Sequence, residues 1–248
     1  MTTGRKAQNE IDHGRWLAEH DPEDIWGWGT PAGRVRARHR ADLIARGAGL
    51  RPGVRALEIG CGTGLFTEFF AATGAEVVAV DISEDLLEKA RRKQLPADSV
   101  QFLCARFEDL SLDRGFDAVI GSSVLHHLDL EPSVQAIRQL LKPGGALSFA
   151  EPNMLNPQVF IERHPLFLKK WFEYVSPDET AFVRWRLKRM LAERGFTSIA
   201  ISPFDWLHPA TPPSLIPTVG AAGRLLEQLP GAREFAGSLY IRAERPRE

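Results

Sequence analysis

From Val54 onward the chain alternates short apolar runs with amphipathic segments, and this rhythm leaves few folds open. Runs rich in valine, isoleucine and phenylalanine, each followed by a helical period, build a mostly parallel sheet with helices on its faces. Strands are predicted at Arg55–Gly60, Glu76–Val80, Val100–Cys104, Phe116–Gly121, Ala146–Ala150, Ser198–Ser202 and Ser238–Ala243. At 248 residues, 44% hydrophobic and 25% charged, the chain has enough apolar surface to cover one such sheet.

Helix signals fall between the strands. The first strand leads into a helix carrying Phe66, Phe69 and Phe70. Ser83 reads as an N-cap, with Glu84 and Asp85 in the first turn and Arg91, Arg92 and Lys93 in the last, an order that suits the helix dipole. Pro132 is expected to start the helix before the fifth strand and Pro143-Gly144-Gly145 to stop it. Ser176-Pro177-Asp178-Glu179 has the form of a capping box, which predicts a helix from there to Gly195.

Two regions stand outside the rhythm. Residues 1–50 read as an N-terminal helical lid segment ahead of a domain spanning 51–248, and the stretch 154–175 reads as an acceptor-site insertion. Both flank the carboxyl edge of the sheet, where open α/β folds bind ligands; plain packing surface is the other reading. The formal net charge of -1 gives no global pull on nucleic acid or anionic lipid. No apolar stretch approaches a membrane span and the N-terminus is polar, so the reading is cytoplasmic, with no nucleic-acid partner and no integral membrane segment. Cys61 and Cys104 lack any metal-ligand spacing and read as small residues beside the sheet.

The first strand ends in Glu58-Ile59-Gly60-Cys61-Gly62-Thr63-Gly64 with a helix directly after. Glycines there let the backbone turn tightly and let a ligand approach main-chain N–H groups. A dinucleotide fingerprint would need its third glycine where Leu65 stands, so the spacing argues against a nicotinamide cofactor. Asp81, at the end of the second strand, can accept both hydroxyl hydrogens of a ribose or serve as a helix-capping acid.

These motifs, with Phe116–Leu128 on the fourth strand and Leu140–Pro152 around the fifth, resemble the class I S-adenosylmethionine-dependent methyltransferases over about residues 54 to 152. The resemblance implies a Rossmann-like α/β fold whose seven-stranded sheet ends in an antiparallel strand. It implies that Gly60, Cys61, Gly62 and Gly64 form the turn that holds the methionine part of the cofactor, with Glu58 orienting its ammonium and Asp81 taking the ribose. Ile82 and Phe107 would sandwich the adenine, and Ser122 and Ser123 would lie beside the transferable methyl. Arg106 stands where many members carry an acid for the adenine amino group; an arginine has no acceptor, so Glu108 or the backbone near Phe107 takes that place.

A sulfonium methyl carries its own leaving group, so the protein mainly has to hold a small-molecule nucleophile in line and exclude water. For an oxygen acceptor, His126, His127 and Glu151 lie at strand ends on the ligand side. His127 is the expected base and Glu151 the group that orients the acceptor, both facing the methyl group; structural roles are the alternative. The run Gly33–Arg55 sets seven arginines against Asp42 alone, suited to an anionic group or to a solvated helix face. Trp26-Gly27-Trp28-Gly29 could be a flap or an anchor. Phe160, Leu166, Phe167, Leu168, Trp171 and Phe172 suggest an apolar or aromatic acceptor, with Lys169 and Lys170 suited to a negative group on it. The competing function is a non-catalytic S-adenosylmethionine-binding regulator or accessory subunit.

Overall fold

The computed structural model describes residues 3–110, 112, 113, 115–163 and 181–248. Seven strands form one sheet: β1 (Arg55–Ile59), β2 (Glu76–Asp81), β3 (Val100–Cys104), β4 (Phe116–Ser122), β5 (Leu141–Pro152), β6 (Thr197–Phe204) and β7 (Ser238–Glu244). Their order is β3-β2-β1-β4-β5-β7-β6. Strands β1 to β5 pair in parallel, and β7 runs antiparallel between β5 and β6. The strands reach past several predicted ends, to Asp81, Ser122 and Pro152.

Side-chain alternation gives the sheet two cores. Leu57, Val119, Leu147, Phe149 and Ile241 bury on one face. Ala56, Ala118, Ile120 and Ala150 bury on the other, where small residues let a helix approach closely. That helix is α3 (Pro31–Ala48), capped by Thr30, whose Oγ1 accepts from Gly33 N–H, and ended by Gly49 at φ 65°. Its inward stripe includes Ala37, Arg40, Ala41, Ile44 and Ala48, and Ser148 Oγ donates to Ile44 O at 2.9 Å. Each fully buried large side chain, such as Phe70 or Phe149, contributes about 1.5–3 kcal/mol.

Ahead of α3 lie α1 (Thr3–Glu19) and the single turn α2 (Pro22–Ile25). The βα units are filled by α4 (Leu65–Ala71), α5 (Glu84–Arg91) and α6 (Leu130–Leu140), with Ser83 Oγ capping α5 as expected. Helix α6 starts two residues before Pro132. It gives way to β5 at Leu141, so Pro143-Gly144-Gly145 lies inside the strand rather than at a helix end. Later elements are α7 (Pro157–Arg163), α8 (Arg184–Glu193) and α9 (Ile216–Gln228).

The helix expected from Pro177 to Gly195 is corrected: only Arg184–Glu193 is helical among the described residues, and 176–180 lie outside them. Phe182 is extended instead, because it bridges to Asn153 and exchanges backbone bonds with Pro152 and Met154. The acceptor-insertion residues 164–174 also lie outside the described part. Cys104 is exposed, whereas Cys61 is buried.

Candidate active site

Strand order reverses between β1 and β4, and at that switch point the carboxyl edge of the sheet opens into a cavity of about 700 Å³. Gly60, at φ 67°, forms its floor; a Cβ there would stand 2.4 Å from Val124 Cγ2, so no side chain fits. Gly62 N–H donates to Asp81 Oδ2 at 2.7 Å and Ser83 N–H to Oδ1 at 2.9 Å, which ties the glycine turn to the tip of β2. Burial pushes the Asp81 carboxyl above its ordinary range, and those two N–H donors oppose the shift. Asp81, Ile82 and Phe107 all line the cavity. Gly64, also at positive φ, packs against Ala90 between α4 and α5 and does not line it.

Glu58 sits one pleat behind the turn, 1% exposed, with one carboxylate oxygen buried and without a hydrogen-bond partner. Burial raises its pKa to about 8, with nearby Asp81 reinforcing and Thr67 opposing. Glu108 lines the cavity, yet its oxygens are engaged: Oε2 by Arg106 Nε at 3.1 Å, Oε1 by Asp129 N–H and Ser133 Oγ.

The residue that sequence reasoning did not single out is Arg40. It is 3% exposed, lines the cavity, and donates to Ser122 Oγ, Ser123 Oγ, Ala150 O and Ser238 Oγ. Trp28 and Phe204 lie against its guanidinium at 5.5 and 5.6 Å. None of these partners is anionic. Burial lowers its pKa to about 10, with Asp205 opposing. Asp205 is itself gripped by Arg36 at 2.8–3.0 Å. A buried cation bonded only to neutral groups on a cavity wall suits a ligand carboxylate.

Next to these partners of Arg40 the expected pair is rearranged. Glu151 is 0% exposed and does not line the cavity, which corrects the expectation that it faces the methyl group. Its Oε1 accepts from Val124 N–H and Leu125 N–H, both at 2.9 Å, and its Oε2 lies 2.6 Å from His126 Nδ1. Burial would raise the Glu151 pKa, but His126 and the two N–H donors outweigh it and hold the carboxyl below its ordinary value. His126 lines the cavity, so Glu151 orients His126 rather than the acceptor itself. His127 also lines it but meets Glu10 Oε2 of α1 at 3.0 Å.

Helices α1 and α2 roof this space. Lys6 donates to Leu128 O at 3.0 Å, and Glu23 accepts from Thr63 Oγ1 and Lys93 Nζ, both at 3.2 Å. Trp26 lies over Gly62, and Trp28 meets Phe66 edge-on at 5.6 Å.

Comparison with known proteins agrees with this geometry. Residues 57–149 match the methyltransferase domain family. A ubiquinone biosynthesis O-methyltransferase of Xylella fastidiosa strain M23 is 36% identical over 173 residues, 62% of this chain and 70% of that protein. One from Alkalilimnicola ehrlichii is 29% identical over 202 residues, 74% and 81% respectively. The N-methyltransferase NodS from Bradyrhizobium japonicum, solved with S-adenosylhomocysteine, superposes at TM-score 0.62 with 18% identity, covering 96% of this chain and 99% of its own. The chain belongs to the class I S-adenosylmethionine-dependent methyltransferases. It is an enzyme of that type, with S-adenosylmethionine as methyl donor.

The residues present fit that donor. A turn that admits no Cβ, a carboxylate at the tip of β2 and an arginine without an anionic partner line one cavity, and Glu58, which does not itself line it, holds an unpartnered buried oxygen just behind the turn. Bound there, the donor supplies a methyl on a sulfonium, which needs no further activation.

Proposed function

We propose that the enzyme methylates an oxygen of an apolar or aromatic small molecule, and that His126, aligned by Glu151, receives the hydroxyl proton. The observation that carries this is the 2.6 Å His126–Glu151 contact on the wall shared with the glycine turn. The names of the O-methylating relatives support oxygen as the acceptor atom. With the donor bound, its methyl would pass to the acceptor oxygen as the carbon–sulfur bond breaks, leaving a neutral thioether, and the His126 imidazole would take up the hydroxyl proton. Asp81 would hold the ribose, Ile82 and Phe107 the adenine, and Gly60, Cys61 and Gly62 the methionine backbone, with Arg40 beside Ser122 and Ser123 taking the carboxylate. His127, bound to Glu10, would fasten the roof.

The test is transfer of a labelled methyl from S-adenosylmethionine to a panel of hydroxylated aromatics, with methyl ethers identified as products. His126→Ala should lower kcat by about a hundred- to ten-thousandfold, with S-adenosylhomocysteine affinity retained and partial rescue by added imidazole. Near-normal turnover in His126→Ala would remove this residue from the mechanism while leaving the O-methylation reading intact; N-methylated products alone would overturn that reading.

Glu58 yields a second expectation. With a pKa of about 8 it is largely protonated at neutral pH, and a cationic ammonium nearby favours the carboxylate. Binding of S-adenosylmethionine near pH 7 should therefore release a proton. Calorimetry in buffers of different ionisation enthalpy reads this directly: the wild type should release a proton and Glu58→Gln should not. Identical buffer dependence in the two would reject the assignment.

A further inference from the structure

We propose that the outer face of α9, with the turn after it, docks on an anionic lipid surface. Only Gly223 of this helix is buried, pressed against Trp206, and Glu227 accepts from Asp205 N–H on the same inward side. On the opposite side stand Leu215, Leu225 and Leu229, 49%, 64% and 54% exposed. At 100° per residue they fall within one narrow stripe, with Ala222 between them. Phe235, in the helical turn after α9, is 50% exposed, and Trp185 at the start of α8 is 53% exposed. The Arg184–Glu234 pair at 2.7 Å brings those two turns together.

Charge selects the partner. Between Arg184 and Gly237 there are seven Arg or Lys residues and four Asp or Glu, in a chain whose net charge is -1. Three of the four acids are engaged, and only Glu193 is exposed: Glu234 binds Arg184 and Arg233, Glu227 binds the Asp205 backbone, and Asp205 binds Arg36. Arg186, Lys188, Arg189 and Arg224 are left exposed. Across a two-fold axis, pairing with a second copy would set like charges against each other. A bilayer surface offers anionic headgroups to the cations and an apolar boundary to the leucines. No helix among the described residues is long and apolar enough to cross a membrane, so the contact is peripheral.

The placement has a functional sense. Trp206, Leu207 and Pro209, shortly before α9, and Gly237 and Ser238, after it, line the catalytic cavity. An acceptor dissolved in the bilayer would enter beside the docked helix. The docking itself does not depend on the acceptor, and its test does not use turnover.

The experiment is flotation of the full chain with vesicles of phosphatidylcholine alone and of phosphatidylcholine mixed with phosphatidylglycerol. The wild type should bind the mixed vesicles, bind the neutral ones far less, and be released by salt. Leu225→Glu with Leu229→Glu should weaken binding by about tenfold or more, with melting temperature and S-adenosylhomocysteine affinity kept. Lys188→Glu with Arg189→Glu should reduce the mixed-vesicle signal toward the neutral-vesicle level and serves where the leucine variant does not fold. No binding to anionic vesicles at low salt overturns the proposal. So does equal binding by folded variants, or a lipid-indifferent dimer that the leucine variant converts to monomer.

Discussion

Glu151→Ala is expected to destabilise the protein by about 3–5 kcal/mol, because it removes a buried charge that two backbone N–H groups and His126 all face. In a chain of this length that corresponds to a fall in Tm of about 6–20 °C. Glu151→Gln keeps an acceptor for Val124 and Leu125 N–H and should lose less. The pH dependence has a defined sign, because the folded-state pKa lies below the ordinary 4.5. The stability that Glu151 confers is therefore complete above the unfolded value and is lost as pH falls through the folded one. Thermal unfolding from pH 7 to pH 3 should show the gap between wild type and Glu151→Ala closing at the acid end; a gap that widens there would contradict an ionised Glu151.

The second large effect is on the donor. Asp81→Ala should weaken S-adenosylmethionine binding by about 1.5–3 kcal/mol, roughly tenfold to over a hundredfold. The ribose hydroxyls would lose the acceptor proposed for them, and Gly62 and Ser83 lose the carboxylate that fixes the glycine turn. Asp81→Asn retains one carbonyl acceptor and should fall between. Titration calorimetry with S-adenosylhomocysteine checks this, and unchanged affinity in Asp81→Ala would exclude the ribose role.

The sheet was legible because each buried strand writes its own signature. Val100–Cys104 appears with the predicted ends, and Ser83 caps α5 as its sequence suggests. The miss at 181–183 has a physical cause: the capping-box pattern is local, whereas Phe182 is claimed by a bridge to Asn153 nearly thirty residues earlier in the chain. At the site, Gly60, Gly62 and Asp81 come together at one cavity as the strand–turn order suggests, because their placement depends on neighbouring positions, whereas Gly64 packs away from it. Arg40 was readable only in part. The run of arginines was visible, but the clue was periodic: Arg40 falls in step with Ala37, Ala41, Ile44 and Ala48, the face that meets the sheet. Which histidine Glu151 grips depends on how the turn after β4 lies against β5, and no spacing in the sequence encodes that.

The placement of β7 bears on how the chain is made. Strand β6 has β7 as its sheet neighbour, while β7 itself bonds β5 along seven registered residues, Ala146 to Pro152. During synthesis the first five strands can pair in parallel as they emerge, but β6 must wait with an unmatched edge until β7 has been made. Ser238, the first residue of that strand, also supplies the hydroxyl that receives Arg40 Nη2. Without β7 the sheet thus lacks the strand that joins β5 to β6, and Arg40 lacks one of its partners on the cavity wall.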